Sequence, residues 1–389
     1  MRSRMNSSVS SGEVHQWALQ RLVEAKLLKE RGRGCETATV WSIVLRAAAR
    51  MISIFAACRD LAKAPCSQTV FNGLTGRLPR TLAVLEKRLN WALLNDWPSR
   101  LRRRCWQVAI DWHLVPYYGK PDRSRNEICR SKPKQGTSKF HTYATACITQ
   151  YGQRYTLALT SVRRHESTVT VLRRLLRRIR EIDVKIKLLL LDRAFFSAAV
   201  LGYLQEENIP FLLPVVFRGR RPKKRRPKTG LRWIQGQKAG WYSHTLKSGK
   251  QSVTISVCVA YRSYRHHKTK KRRGQKLFFA AWRVHGAPTE IRETYRKRFG
   301  IETSYRQLRQ ARIYTCTRKP HLRLLFVAIA LMLRNLWVWI HATMLAEGHG
   351  ETMTLQLHLL RFKRLLDWIA QAVASILHDG STPCVELDE

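Results

Sequence analysis

Residues 187–192 read Lys-Leu-Leu-Leu-Leu-Asp. Four consecutive leucines bounded by a cation and an acid predict a central strand buried on both faces. The strand closes on an acid, and the C-terminal ends of strands are where α/β sheets usually hold ligands. Upstream, Gln107–Asp111 reads as a second short buried strand, also ending in an acid, and Phe140–Thr149 and Tyr155–Val162 are strand-like around the turn at Tyr151-Gly-Gln. Ser167–Ile182 is a predicted helix with Val169, Leu172, Leu175, Leu176 and Ile179 on one side and arginines on the other. Phe195–Glu207 reads as a helix and Pro210–Phe217 as a further apolar strand. Three strands, helix, strand, helix, strand is the order of an α/β sheet.

On either side the pattern changes. Residues from about 12 to 100 read as several short helices, among them Thr37–Leu61, one capped by Ser67, and Thr81–Leu94. Short helices joined by turns can place one of them in a DNA groove; they serve equally as a packed bundle. The run Arg218–Lys228 is nearly all cations, and Lys120–Lys139 and Tyr264–Arg273 are further basic loops. Between Phe217 and Pro288, the stretches Leu231–Ile234, Trp241–Leu246, Ser252–Tyr261 and Leu277–Trp282 suggest a β insertion, with a hairpin at Lys247-Ser-Gly-Lys250. Pro288 opens a new helix, Leu322–Leu345 reads as a buried core helix and Met353–Leu377 as an amphipathic one. The segment Leu322–Leu345 is interrupted by Arg323, Arg334, Asn335 and His341, which argues against a membrane span.

Charge narrows the function. The 389 residues hold 72 Lys and Arg against 26 Asp and Glu, a formal charge of +46. Such an excess calls for a polyanionic partner, and nucleic acid is the natural one. Nine scattered cysteines without a C-x-x-C pair, and a polar Met1–Ser11 without an apolar leader core, suggest a cytoplasmic, reducing location. Three acids then stand out: Asp111 and Asp192 at strand ends, and Glu302 within Tyr295–Arg309 (YRKRFGIETSYRQLR). There Tyr295, Arg298, Glu302 and Arg309 lie at offsets of 0, 3, 7 and 14, which return to one face of a helix. Carboxylates suit Mg²⁺, and a pair of such ions can drive in-line phosphoryl displacement. Each acid also has an ordinary reading: an arginine partner for all three, a turn or cap role for Asp111 and a helix cap for Asp192. His113 can share Asp111's side of an extended strand.

The order strand–Asp, strand–Asp, β insertion, helix–Glu resembles DDE transposases with an RNase H-like catalytic domain. More narrowly it is similar to the bacterial insertion-sequence-four type, whose signature Y-x2-R-x3-E-x6-K is met by Tyr295, Arg298 and Glu302, with Arg309 in the lysine's place. The family pattern D-x-[GA]-x-[YF] is matched by Asp192, Ala194 and Phe196, and Asp111-Trp-His-Leu-Val-Pro-Tyr-Tyr-Gly is similar to the family's first strand and loop. The resemblance covers about residues 105–345. It implies an α/β fold with an RNase H-like core interrupted by a mostly β insertion, between helical N- and C-terminal regions. Its segments would be 1–104, binding DNA ends; 105–217, the first catalytic part; 218–286, the basic insertion; 287–346, the second catalytic part with the Glu helix; and 347–389, a possible dimer contact. It implies cut-and-paste transposition at terminal inverted repeats: water attacks the phosphodiester, and the freed 3′-hydroxyl then attacks a second strand. Asp111, Asp192 and Glu302 would hold Mg²⁺, two ions with Mn²⁺ as substitute, while Tyr295, Arg298 and Arg309 grip phosphates. The partners would be double-stranded transposon ends and target DNA, at the nucleoid, with a homodimer joining two ends and no membrane. Trp233, Trp241 and Trp282 are candidates to hold a displaced base, or else are strand core. A non-cleaving DNA-binding descendant of such an enzyme is the alternative.

Overall fold

The computed structural model describes residues 9–29, 35–94, 101–121, 126–150, 152, 154–219, 229–249, 251–265, 271–347, 354 and 356–377. The chain divides into two compact units, Ser99–Glu302 and the pair of segments Met1–Pro98 with Thr303–Glu389.

The first unit is built on a nine-stranded sheet. In chain order its strands are β1 (Cys105–Pro116), β2 (Ile128–Lys134), β3 (Thr137–Ile148), β4 (Thr156–Ser161), β5 (Lys185–Leu191), β6 (Phe211–Pro214), β7 (Gly240–Ser248), β8 (Gln251–Arg265) and β9 (Arg272–Trp282). Their spatial order is β2-β3-β1-β5-β6-β9-β8-β7, with β4 also paired to β3. The leucine run behaves as its composition demands: Leu189, Leu190 and Leu191 are fully buried, and β5 runs parallel to both β1 and β6. Helix α6 (Thr168–Glu181) packs on β3 and β4 through Val171, Leu172, Leu175, Leu176 and Ile179. Its N-terminus is fixed by Ser167, whose Oγ accepts from the Thr170 amide at 3.1 Å. Helix α7 (Ala198–Glu206) packs on β7 and β8, and helix α8 (Pro288–Arg296) on β8.

Several sequence expectations change. Strand β1 does not end at Asp111 but continues to Pro116, paired with β3 throughout; only its pairing with β5 stops at Ile110. The basic loop 120–139 contains strand β2, whose residues are mostly exposed and include the cations Arg130, Lys132 and Lys134, with Pro133 among them. Such an edge strand carries no apolar alternation to betray it. The helix expected at Phe195–Glu207 is a 3₁₀ turn, Arg193–Phe195, followed by α7, and the cap is Ser197, whose Oγ accepts from Val200, rather than Asp192. Leu231–Ile234 lies in a 3₁₀ segment, Gly230–Gly236, not a strand. The other three insertion stretches form β7–β9 and extend the same sheet through the β6–β9 pairing. Most of the Arg218–Lys228 run and the centre of Tyr264–Arg273 lie outside the described residues.

The second unit is helical. It contains α1 (Ser11–Glu24), α2 (Thr37–Arg50), α3 (Ile54–Arg59), α4 (Ser67–Arg77), α5 (Leu82–Ala92), the C-terminal part of α9 (Phe299–Leu308), α10 (Pro320–Ile340) and α11 (Phe362–Leu377). The helix expected across Thr37–Leu61 breaks at Met51, which is left-handed at φ 57° and lets the Ile52 amide close back on the Ala47 carbonyl. Ser53 then caps α3, accepting from Ala56 at 3.1 Å. Ser67 is the first helical residue of α4 and not its cap, and α11 starts at Phe362 rather than near Met353. Pro320–Leu345 is long and apolar enough to cross a membrane, with mean hydropathy 1.8 over its most apolar 18 residues, but 89% of that window is buried within the protein. Its polar interruptions all find partners. Arg323 donates to Thr317 O, Arg334 to Gln307, Asn335 to Leu93 O, and His341 Nε2 bonds Leu360 O. Among the described residues the cysteines are free thiols.

Candidate active site

The sheet brings the two aspartates together. Ile110 of β1 and Leu191 of β5 are parallel partners, and the next residue on each chain is an aspartate. Neighbouring strands run about 4.8 Å apart, so Asp111 and Asp192 leave the ladder side by side. Two aromatic rings brace this exit: Trp112 stacks on Phe195 at 4.8 Å with an interplanar angle of 2°. Neither ring was singled out in the sequence. The signal that could have found them is an aromatic beside each strand-end acid.

The third acid arrives on a broken helix. Tyr295 belongs to α8, Arg298 to a link, Glu302 to α9, and Arg309 to the 3₁₀ turn Arg309–Ala311, so the four do not share one continuous helical face. In the link the amides of Lys297, Arg298, Gly300 and Ile301 bond three residues back instead of four. Gly300 makes room there: a Cβ at this position would lie 2.8 Å from Arg154 Nε. The break aims Arg298 inward, with 6% of its side chain exposed. Its Nη1 donates to Asp111 Oδ2 at 3.1 Å and its Nη2 to Glu302 Oε1 at 2.9 Å. Tyr295 is buried, and its hydroxyl donates to Leu191 O at 3.1 Å, the carbonyl just before Asp192. His113 is buried opposite Tyr143, on the same side of β1 as Asp111. Arg309 is exposed and belongs to the helical unit.

Electrostatics follow from this crowding. Burial pushes the Asp111 carboxyl up to about 6; Arg298 opposes the rise, and Asp192 and Glu302 add to it. Burial works against the Arg298 charge, but Tyr295 and the three acids outweigh it and hold its pKa above the ordinary arginine value. Burial likewise raises the Tyr295 phenol. Arg298 is thus the ion-pair partner shared by Asp111 and Glu302.

The donor set suits a hard divalent cation, being all carboxylate oxygen. One feature fits added positive charge: Asp111 is held toward its protonated form for want of it. Arg298 Nε, a buried N–H donor without an acceptor among the described residues, suits an anionic oxygen instead. Among the described residues no three acidic, His or Cys side chains converge closely enough to hold an ion as placed, with Arg298 bridging Asp111 to Glu302.

A cavity of about 700 Å³ adjoins Tyr295, lined by Arg193, Arg262, Lys276, Arg296, Phe278 and Phe299 among others. None of the three candidate tryptophans lines it. Trp233 donates to His244 at 3.4 Å, Trp241 donates to Gly286 O at 2.9 Å, and Trp282 stacks on Phe211 beneath Arg283.

A mixed sheet with acids leaving adjacent parallel strands, and helices at both ends of the chain, is the RNase H-like architecture of DDE enzymes. Residues 106–336 match the family model of the transposase DDE domain, and the chain belongs to that family: it is a DDE transposase. The chain is similar in fold to piggyBac transposase, solved by cryo-EM as a synaptic complex with hairpin DNA, at a TM-score of 0.52 and 12% identity over 96% of this chain and 82% of that one. No curated protein matches it in sequence.

Proposed function

We propose that the chain is a cut-and-paste transposase of the insertion-sequence-four type that binds the terminal inverted repeats of its element, cleaves them and joins the freed ends to target DNA. The observation carrying this reading is Arg298 bridging Asp111 and Glu302, with Asp111 and Asp192 each following one of two paired residues on parallel strands. Asp111, Asp192 and Glu302 would hold two divalent ions, Mg²⁺ or Mn²⁺. Bound there, such ions supply Lewis-acid activation of water and of the phosphodiester. The protein's own groups do the rest. Arg298 neutralises the acids before loading and, once released from one of them, can turn its guanidinium to a phosphate oxygen. Tyr295 fixes the backbone that aims Asp192. Arg193 and Arg296, exposed residues that line the neighbouring cavity, can neutralise phosphates close to the cut. The cavity's Phe278 and Phe299 suit a displaced base better than the candidate tryptophans do.

The helical segment 1–104 is assigned to end binding, 347–389 to a dimer contact, and exposed Arg309 to a DNA phosphate. The reaction would take place on nucleoid DNA. The test is cleavage of duplexes carrying the element's own ends, with Mg²⁺, by wild type and by Asp192→Ala. Wild type should cut and the variant should bind without cutting. Equal cleavage by both sinks the site, and a folded wild type that binds its ends but never cuts marks a non-cleaving descendant.

A further inference from the structure

Helix α4 carries a face that the fold does not use. Taking 100° per residue, Thr75, Gln68, Asn72, Gly76 and Thr69 span an arc of about 120°. Gln68, Thr69, Asn72 and Gly76 are exposed and Thr75 is half-buried. The opposite arc is fixed to the unit. Val70 and Leu74 are fully buried, and buried Arg77 donates to the carbonyls of Lys29 and Cys35 and to the Thr37 hydroxyl. The helix is therefore held firmly from behind while its front is uncharged, in a chain with 72 Lys and Arg among 389 residues.

Two details of that front are poor choices for a merely solvated surface. Gly76 lies in the last turn with nothing within 4 Å of a Cβ built on it, so no packing explains it. Glycine there weakens a helix by roughly 0.5–1 kcal/mol relative to alanine, and it permits close approach of another backbone. Gln68 Nε2 donates to Asn72 Oδ1 at 2.8 Å, so the two amides form one stiffened edge. Amide side chains are the groups that pair with adenine in the major groove. The cations lie at the margins: Lys63 before the helix, Arg80 after it, and Lys319 over the half-buried Phe71. Helix α1 also exposes glutamines, but Glu13 lies in its first turn and Gln20 is tied to Glu24, acids that would repel phosphates.

We infer that α4 is the helix that reads base sequence at the transposon end, with Gln68 and Asn72 as the specificity-determining side chains, Gly76 admitting the DNA backbone, and the marginal cations gripping phosphates. This rests on the assignment of residues 1–104 to end binding. The test is selection of bound duplexes from a library with a randomised core by the full-length chain without divalent metal, followed by titration of the selected duplex against a shuffled one at several salt concentrations.

Wild type should enrich a motif that occurs at both ends of the element. The Gln68→Ala/Asn72→Ala double variant should lose roughly tenfold or more of the preference at one or two base pairs, and keep its salt dependence. Gly76→Ala should melt at the same temperature or higher and bind the selected duplex more weakly. If wild type enriches no motif, the end-binding assignment falls and this inference with it. If wild type enriches one and all variants select the same motif with unchanged preference, α4 does not read bases, while the end-binding assignment stands.

Discussion

Tyr295 donates its hydroxyl to the carbonyl oxygen of Leu191, the last residue of β5 and the one that precedes Asp192. A side chain on α8 thereby fixes the backbone from which Asp192, one of the three proposed metal-holding acids, is aimed. Tyr295→Phe keeps the ring against Phe279 and removes the hydroxyl, with this bond and its polar interaction with Arg298. The loss should be about 1 kcal/mol, read as a small fall in melting temperature. Cleavage should slow further than stability alone explains, because an acid misplaced by a fraction of an ångström acts poorly. Unchanged cleavage in a variant with the lower melting point would dismiss the positioning role.

Arg298 bridges Asp111 and Glu302 from a buried position. Taking away one partner of a buried ion pair costs roughly 3–5 kcal/mol, so Arg298→Ala should unfold at markedly lower denaturant concentration in EDTA. Mg²⁺ should recover part of that loss, since the acids then have another counter-charge. Arg298→Lys should be intermediate, because a single ammonium lacks the planar fork that spans both carboxylates. A variant with wild-type stability in EDTA would rule out the counter-ion role.

Asp111 is held up to about 6 by burial, above its ordinary value near 3.8. A carboxyl whose folded pKa exceeds the unfolded one favours the fold when protonated. That contribution is complete below about pH 4 and disappears as the pH rises through about 6. In metal-free protein Asp111→Asn should flatten this part of the stability–pH curve, while the loss of the Arg298 pair lowers its overall level. Parallel curves for the two proteins would remove Asp111 as the source.

Glu302 is half exposed, with Arg298 as its ion-pair partner. Glu302→Gln should change stability by less than about 1 kcal/mol, since an exposed pair contributes little. It should abolish cleavage of the element's ends and leave their binding within about twofold. Retained cleavage would free Glu302 from the acid set.

The sequence showed most clearly what depends on local pattern. The leucines of β5 could be placed because a strand covered on both faces has no polar position to confuse it. Asp192 followed from them. What stayed hidden depends on residues far apart in the chain. Strand β2 is cationic and exposed, so its pairing with β3 leaves no trace in hydrophobicity. The break before α9 depends on Gly300 fitting against Arg154, a neighbour that helical spacing cannot reveal. Reading Tyr295–Arg309 as one helix mistakes the geometry: Arg298 reaches Asp111 because the helix does not continue. The stack of Trp112 on Phe195 likewise needs β1 and β5 to be aligned first.

The outer strands β9, β8 and β7 share one hydrogen-bonded ladder with β5. They cannot swing about a hinge without breaking backbone hydrogen bonds. From β5 to β7 the order β5-β6-β9-β8-β7 is four strand spacings, about 19 Å. That is roughly the rise of five or six base pairs at 3.4 Å each. The sheet therefore holds the β7 edge at one fixed reach from Asp192, so that whatever binds that edge is presented to the acids at a constant spacing.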